Sequence, residues 1–426
     1  MAPSLFSISL VLAAVVGPYL YNAINHHLTV FGVYRRADFV SSSEGIHAIE
    51  DTMQCEDIHY YAPGNVIFAA CEDSILPRFA WFPPLGHFDK LPDTTGSIHI
   101  IDPQTLKSHR LKFENFPGPF VTHGIDVIQD PGRSDAVYIF AVNHLANPEY
   151  VSALSANPST ATEPDIPKAR SQIEIFHHVL KSSSARHVRS VRHKLVKTPN
   201  DLYAASPNSF YVTNDHYYRH GRLRQVEDMV PWLKWTNVVH VQVDRLTGVS
   251  GDAEAGVGAS VALPSLWAAN GLGHGPKDEV LVTSVLGGTM KRTVPVGDGR
   301  TLSVNEEISV DSTIDNPSYY EDPYATADDD ASGYVLGGLR RAIDMIKTAR
   351  DPEATEAVIV WYIRKKQGTK EWEKKVIFED DGSNIRSSSA ALLVPIDPAT
   401  TGGVKEAWLF VTGFISPNSI AVKVQL

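Results

Sequence analysis

Asn200-Asp201, Asp315-Asn316, Glu56-Asp57 and a single Asn270 put oxygen-bearing side chains at the edges of stretches that read as β-strands. Neighbouring residues in an extended chain point to opposite sides. One pair therefore cannot easily turn both its oxygens onto a single ion, but it can serve two hard cations on either side of the backbone. Calcium takes about six to eight oxygen ligands from carboxylates, amides and main-chain carbonyls. Taken alone, any such pair is more often a turn or a strand end. Only their joint context lifts them above that level.

Two histidines, His123 and His144, stand in Thr-His-Gly-Ile and Val-Asn-His contexts. A histidine beside a metal-polarised carbonyl can deprotonate an attacking water. Most of the 17 histidines must be structural or exposed, and Asp215 and His216 are secondary candidates for positioning or for an alternative base. Other catalytic layouts are missing: there is no Gly-x-Ser-x-Gly elbow, no His-Glu-x-x-His and no phosphate-cradling glycine loop.

The elements that must position these residues are mostly strands. From about residue 50, short apolar runs such as 66–70, 96–102, 136–144, 209–216, 237–244, 279–286, 357–363 and 407–414 alternate with Gly, Pro, Asn and Asp joints. Only the amino terminus and the stretch from Gly338 to Ala349 read as helical. About 370 residues shared by six four-stranded blades leave about 60 per blade, which suits a propeller with long loops. No exact repeat is visible. Residues 152–172, 250–262 and 319–333 read as inserted loops.

At 426 residues the chain could hold one large domain or two average ones, and 43% hydrophobic residues suffice for a substantial core. A net charge of −11 without a basic stripe argues against a nucleic-acid partner. Asp328-Asp329-Asp330 reads as solvated loop. Leu5 to Leu20 is apolar except for Ser7, Ser9, Gly17 and Pro18, the length of a signal-peptide core or a short anchor. No Lys or Arg precedes it, and Gly17-Pro18 leaves no clean cleavage site. Residues 1–22 are thus expected to be a signal peptide or an uncleaved membrane anchor, with 23–49 leading into a catalytic domain over 50–426. The chain is expected in the secretory pathway, secreted or membrane-anchored, with lipid association through its N-terminus. Cys55 and Cys71 flank the Ala62-Pro63-Gly64-Asn65 turn nearly symmetrically. An oxidising compartment favours a disulfide between them, although close pairing across a hairpin is not always good bridge geometry. No Asn-x-Ser/Thr sequon with x other than Pro is present, so N-glycosylation is not expected.

The run Arg192-His193-Lys194-Leu195, then Asn200-Asp201-Leu202, then Phe210 through Tyr218 (FYVTNDHYY) resembles the serum paraoxonase/arylesterase family. Glu56-Asp57, Thr122-His123-Gly124-Ile125, Val142-Asn143-His144, Ala269-Asn270-Gly271 and Ile314-Asp315-Asn316 extend the resemblance in family order over roughly residues 50–426. It implies a six-bladed β-propeller. It implies a catalytic Ca²⁺ held by Glu56, Asn200, Asn270, Asp315 and Asn316, and a deeper structural Ca²⁺ held by Asp57, Asp201 and the main-chain oxygen of Ile125. It places His123 as the base over the catalytic ion, with His144 orienting it or relaying its proton. The implied activity is hydrolysis of small lactones and aryl esters, with phosphotriesters as a side activity. A gluconolactonase-type sugar-lactone hydrolase and a non-catalytic calcium-stabilised binding propeller are the alternatives. The family pairs a cysteine near its start with one near its C-terminus, and this chain lacks the second. Glycines follow Leu286 and Val335 where animal members carry a histidine, which implies a different or roomier pocket.

Overall fold

The computed structural model describes residue 17 and residues 21–426, apart from 40–43, 94, 117, 158–165, 248–250, 367 and 370. The eight apolar runs read from the sequence are all strands. Most are the middle strands of sheets that pack on both faces, which explains their near-continuous Val, Ile and Phe content.

Six antiparallel sheets form six propeller blades, as expected. The second sheet gains a fifth strand, Lys112–Glu114, parallel to Ser184–Val191. The first strands of the blades are Asp57–Tyr61, Thr122–Asp130, Pro199–Ser206, Ala269–His274, Pro317–Tyr320 and Ser388–Ile396. Each touches the next around a ring, so these six line the central tunnel. Six buried apolar clusters lie between neighbouring blades, for example Val335, Val360, Leu393 and Leu409 between the fifth and sixth. The sixth blade joins both ends of the chain: His47–Ile49 pairs with the C-terminal strand, His47 opposite Ala421 and Ile49 opposite Ser419. This strand falls in the stretch read as lead-in.

A repeat invisible in the sequence appears on the ring. Asp57, Asp126 and Asp201 each accept the following residue's N–H and an N–H from the next blade's first strand. The inter-blade donors are Ile125 to Asp57 (3.0 Å), Ala204 to Asp126 (2.6 Å) and Leu272 to Asp201 (2.6 Å). Asp126 also binds His59 of the first blade at 3.0 Å and His274 of the fourth at 2.8 Å.

The helical readings need correction. Gly338 lies in the strand Gly333–Leu339, and only 342–348 beyond it turns helical. Gly338 suits that strand because a Cβ there would lie 1.9 Å from the Thr313 carbonyl oxygen of the neighbouring segment. Inserted loops hold structure too. Pro148–Ala156 is a helix whose start is capped by the Asn147 side chain, and the strand Val257–Leu266 begins inside 250–262. Residues 158–165 of the first expected loop lie outside the described residues. The helix Arg222–Met229 was not anticipated.

At the amino end, residues 21–30 are helical and dock through the main chain, with Val30 and Phe31 carbonyls accepting from Thr313 and Ile343. The apolar run Leu5 to Leu20 lies, except for Gly17, outside the described residues. No helix among the described residues is long and apolar enough to cross a membrane. Cys55 and Cys71 form a disulfide that ties the entry of the first blade to its second strand.

Candidate active site

The first-strand ring carries the acidic and amide pairs into one place. Glu56 and Asp57 open the first blade, Asn200-Asp201 and Asn270 lie at the starts of the third and fourth, and Asp315-Asn316 precede the fifth. All seven side chains are buried. A cavity of about 570 Å³ opens above them, with Glu56, Asn200, Asn270, Asp315 and His123 in its lining. Asp57, Asp201, Ile125 and Asn316 do not line the cavity, so Glu56-Asp57 and Asn200-Asp201 face opposite ways as expected of extended chain.

Five buried oxygens here have no protein partner: Glu56 Oε2, Asn200 Oδ1, Asn270 Oδ1, Asp315 Oδ1 and Asn316 Oδ1. Buried acceptors are nearly always satisfied, so five orphans in one spot mark a place for something that binds oxygen. The only contact among them is Asn316 Nδ2 donating to Glu56 Oε1 at 3.1 Å. Burial pushes the Glu56 carboxyl well above its usual range, and Asp315 and Asp57 add to it. Burial likewise raises Asp315 and Asp201, and lifts Asp57 to about 7. Four buried acids reinforcing one another call for a compensating cation.

The donor set fits a hard divalent ion such as calcium: carboxylates and neutral amides, with no sulfur. Among the described residues no group of three or more His, Cys, Asp or Glu is arranged to hold a metal by itself. The three amides supply what such a group would lack. Gly124 lets the second blade approach this floor, since a Cβ there would sit 2.3 Å from Asp201 Oδ1.

His123 hangs over the floor, its Nε2 3.7 Å from Glu56 Oε1. Its Nδ1 meets His144 Nε2 at 3.1 Å, and His144 Nδ1 meets Ser171 Oγ at 2.8 Å. Phe82 packs edge-on against both imidazoles, and Trp81 Nε1 donates to the His144 carbonyl at 2.8 Å. Fully buried Arg78 donates to Glu72, to the Thr122 carbonyl and to its hydroxyl at 2.8–2.9 Å, fixing the backbone just before His123. Burial holds His123 well below the ordinary histidine value, with His144 adding to it, and pushes His144 down to about 3. Both rings are neutral at neutral pH, the form that can accept a proton. Ser171, Phe82 and Arg78 were missed in the sequence, because each reaches the site from a distant segment and has no motif of its own.

Asp215 and His216 also face the cavity. His216 lies 3.0 Å from Asp215 and 2.7 Å from Asp228. Burial and Arg224 would lower its pKa, but the two carboxylates outweigh them and push it up to about 9. Both ring nitrogens of His216 thus face carboxylates, an arrangement that favours its protonated form. The cavity walls are largely apolar: Phe31 of the amino-terminal segment, Leu85, Trp267, Leu286, Ile314, Leu339 and Phe414. Gly338 among them is taken up by the close backbone approach described above, so it gives no extra room.

Fold and site together define a six-bladed propeller whose tunnel floor gathers buried carboxylates and amides under a histidine pair. The arylesterase family model matches residues 147–274. The chain is 26% identical to bovine serum paraoxonase/arylesterase 2 over 341 residues, 76% of this chain and 81% of that one. It is 31% identical to mouse serum paraoxonase/arylesterase 1 over 200 residues, 45% and 49% of the two chains. These matches make the chain similar to members of the paraoxonase/arylesterase family. Among solved structures, a periplasmic gluconolactonase of Pseudomonas aeruginosa is similar with TM-score 0.37 and 10% identity, covering 87% of this chain and 85% of that one.

Proposed function

We propose that this protein is a calcium-dependent hydrolase of lactones and aryl esters, with phosphotriester hydrolysis as a side activity. One observation carries the reading: five unpartnered buried oxygens, gathered from several blades under a coupled histidine pair. Glu56, Asn200, Asn270, Asp315 and Asn316 would hold one calcium, and Asp57, Asp201 and the Ile125 carbonyl a deeper, structural one. A bound calcium supplies Lewis-acid polarisation of the substrate's carbonyl oxygen. His123 takes the proton of the attacking water as its oxygen bonds to the acyl carbon, and returns it to the leaving oxygen as the ester C–O bond breaks. His144 holds that ring in place, and Ser171 fixes the tautomer of His144. The apolar walls receive the acyl or aryl part and keep bulk water out. Residues 1–22 serve as leader or anchor and 50–426 as the catalytic domain. The chain works in the secretory pathway, where the Cys55–Cys71 disulfide persists.

The test is hydrolysis of phenyl acetate and δ-valerolactone by the purified protein in calcium buffer and after chelation. Turnover that chelation abolishes and calcium restores is expected. Turnover indifferent to calcium, or none with any ester or lactone, overturns the reading.

A further inference from the structure

Beside the catalytic cavity lies a second chamber of about 800 Å³, which shares Leu85, Arg224, Asp228 and Ile346 with it. Its charges do not balance. Two carboxylates face it and both are engaged, Asp89 by Arg350 at 2.6 Å and Asp228 by His216 at 2.7 Å. Three further cations of the lining make no direct ion pair among the described residues. Buried Arg224 donates only to main-chain oxygens, those of Pro83 (2.8 Å), Arg219 (3.0 Å) and Pro84. Lys168 lies 5.5 Å from the ring of Phe88 and 5.9 Å from that of Tyr150, and Arg222 is exposed. Neither has a carboxylate partner among the described residues.

This excess sits in a chain of net charge −11, where acids are plentiful. Arg222 and Arg224 moreover occupy the first turn of the helix Arg222–Met229, which has no acidic residue there and no side-chain cap. That is the end where the helix dipole disfavours cations. A local rule broken without compensation among the described residues points to compensation from a ligand. Arg224 stands at the junction of the two spaces and lines both. The shared lining at Arg224 makes the chamber continuous with the space above the catalytic floor.

We propose that the chamber binds an oxyanion at the non-reacting end of the substrate, so that the preferred esters and lactones carry a carboxylate or a phosphate. The inference rests on the hydrolase reading above and narrows its substrate class. Lys168 and Arg222 are specificity residues in this account, set apart from the histidines and the tunnel floor.

The experiment compares 4-nitrophenyl hydrogen adipate with neutral 4-nitrophenyl hexanoate, and adds a phosphate-terminated 4-nitrophenyl ester of similar length. Wild type is expected to show a KM about tenfold lower for an anionic ester than for the neutral one, a gap that narrows with added salt. The double variant Lys168→Gln/Arg222→Gln should lose that gap while keeping its kcat and its kinetics on the hexanoate. The arm that shows the larger gap identifies the oxyanion. Equal KM values in wild type, or an equal loss on charged and neutral esters in the variant, overturn the chamber while hydrolysis stands. Should no ester turn over, the hydrolase reading has failed, and calorimetric titration with the hydrolysis-resistant monoanilide of adipic acid decides the chamber separately. Binding weakened by the double substitution supports it, and equal or absent binding overturns it.

Discussion

Three residues at the site have separable roles. His123→Gln should lower kcat/KM for lactones by about 10²–10⁴-fold, the usual loss when acid–base assistance is removed. Its calcium content should stay that of wild type, since the side chain is not among the proposed ligands. A variant retaining full rate would end the assignment of His123 as base. Asn270→Ala removes one of five unpartnered oxygens without opening a blade interface. It should abolish turnover while changing stability by only about 1 kcal/mol. An unfolded Asn270→Ala protein would show that this oxygen serves the fold instead. The third residue, His216, gives a pH signature. Its pKa is raised from the ordinary histidine value to about 9 in the folded chain. Its contribution to stability is thus complete below about pH 6.5 and lost as pH rises through 9. Wild type should lose about 2 kcal/mol across that window in denaturant titrations, and His216→Asn should lose much less. Parallel curves would show that the Asp215 and Asp228 contacts leave stability unchanged.

Elements differ in how far the sequence announces them. Middle strands such as Arg133–Asn143 were legible because burial on both faces demands an unbroken apolar run. First strands were harder. Pro317–Tyr320 has only four residues, and its polar neighbours are retained for the site. That the acidic and amide pairs share one buried floor was legible through the family resemblance and through the opposite-facing geometry of extended chain. The aspartate ring was not, because Asp57, Asp126 and Asp201 are each a whole blade apart and share only an aliphatic successor. Helix Arg222–Met229 escaped notice because its Leu223, Val226 and Met229 face solvent, so no buried stripe marks it. Asp126 is where the ring can be tested. It ties the second blade to the first, third and fourth by one inter-blade N–H and two imidazoles, at 2% exposure. Burial would raise its carboxyl, but His274 and His59 outweigh that and hold it well below the usual range. Asp126→Asn keeps the volume and loses the charge, and should destabilise the fold by about 3 kcal/mol in urea titrations. A loss under about 0.5 kcal/mol would mean that this junction adds nothing net.

At the scale of the whole molecule, two devices make six blades one unit. The sixth blade takes a strand from each end of the chain, so no blade can leave the ring without breaking that closure. The tunnel floor then draws its oxygens from several blades, and without a cation it concentrates four buried carboxylates that repel one another. An ion bound there would act as a hub that only the closed ring can assemble. It should stabilise the folded state by mass action, about 4 kcal/mol at a free concentration a thousandfold above its dissociation constant. Exhaustive chelation should therefore move a single cooperative calorimetric transition down by several degrees, with activity lost in the same titration. A transition that splits in two would mean that the cation joins only some of the blades. Activity lost at an unchanged Tm would mean that the ion sits on a ring already rigid without it. That outcome would leave the closure through His47–Ile49 and the aspartate links as what holds the propeller together.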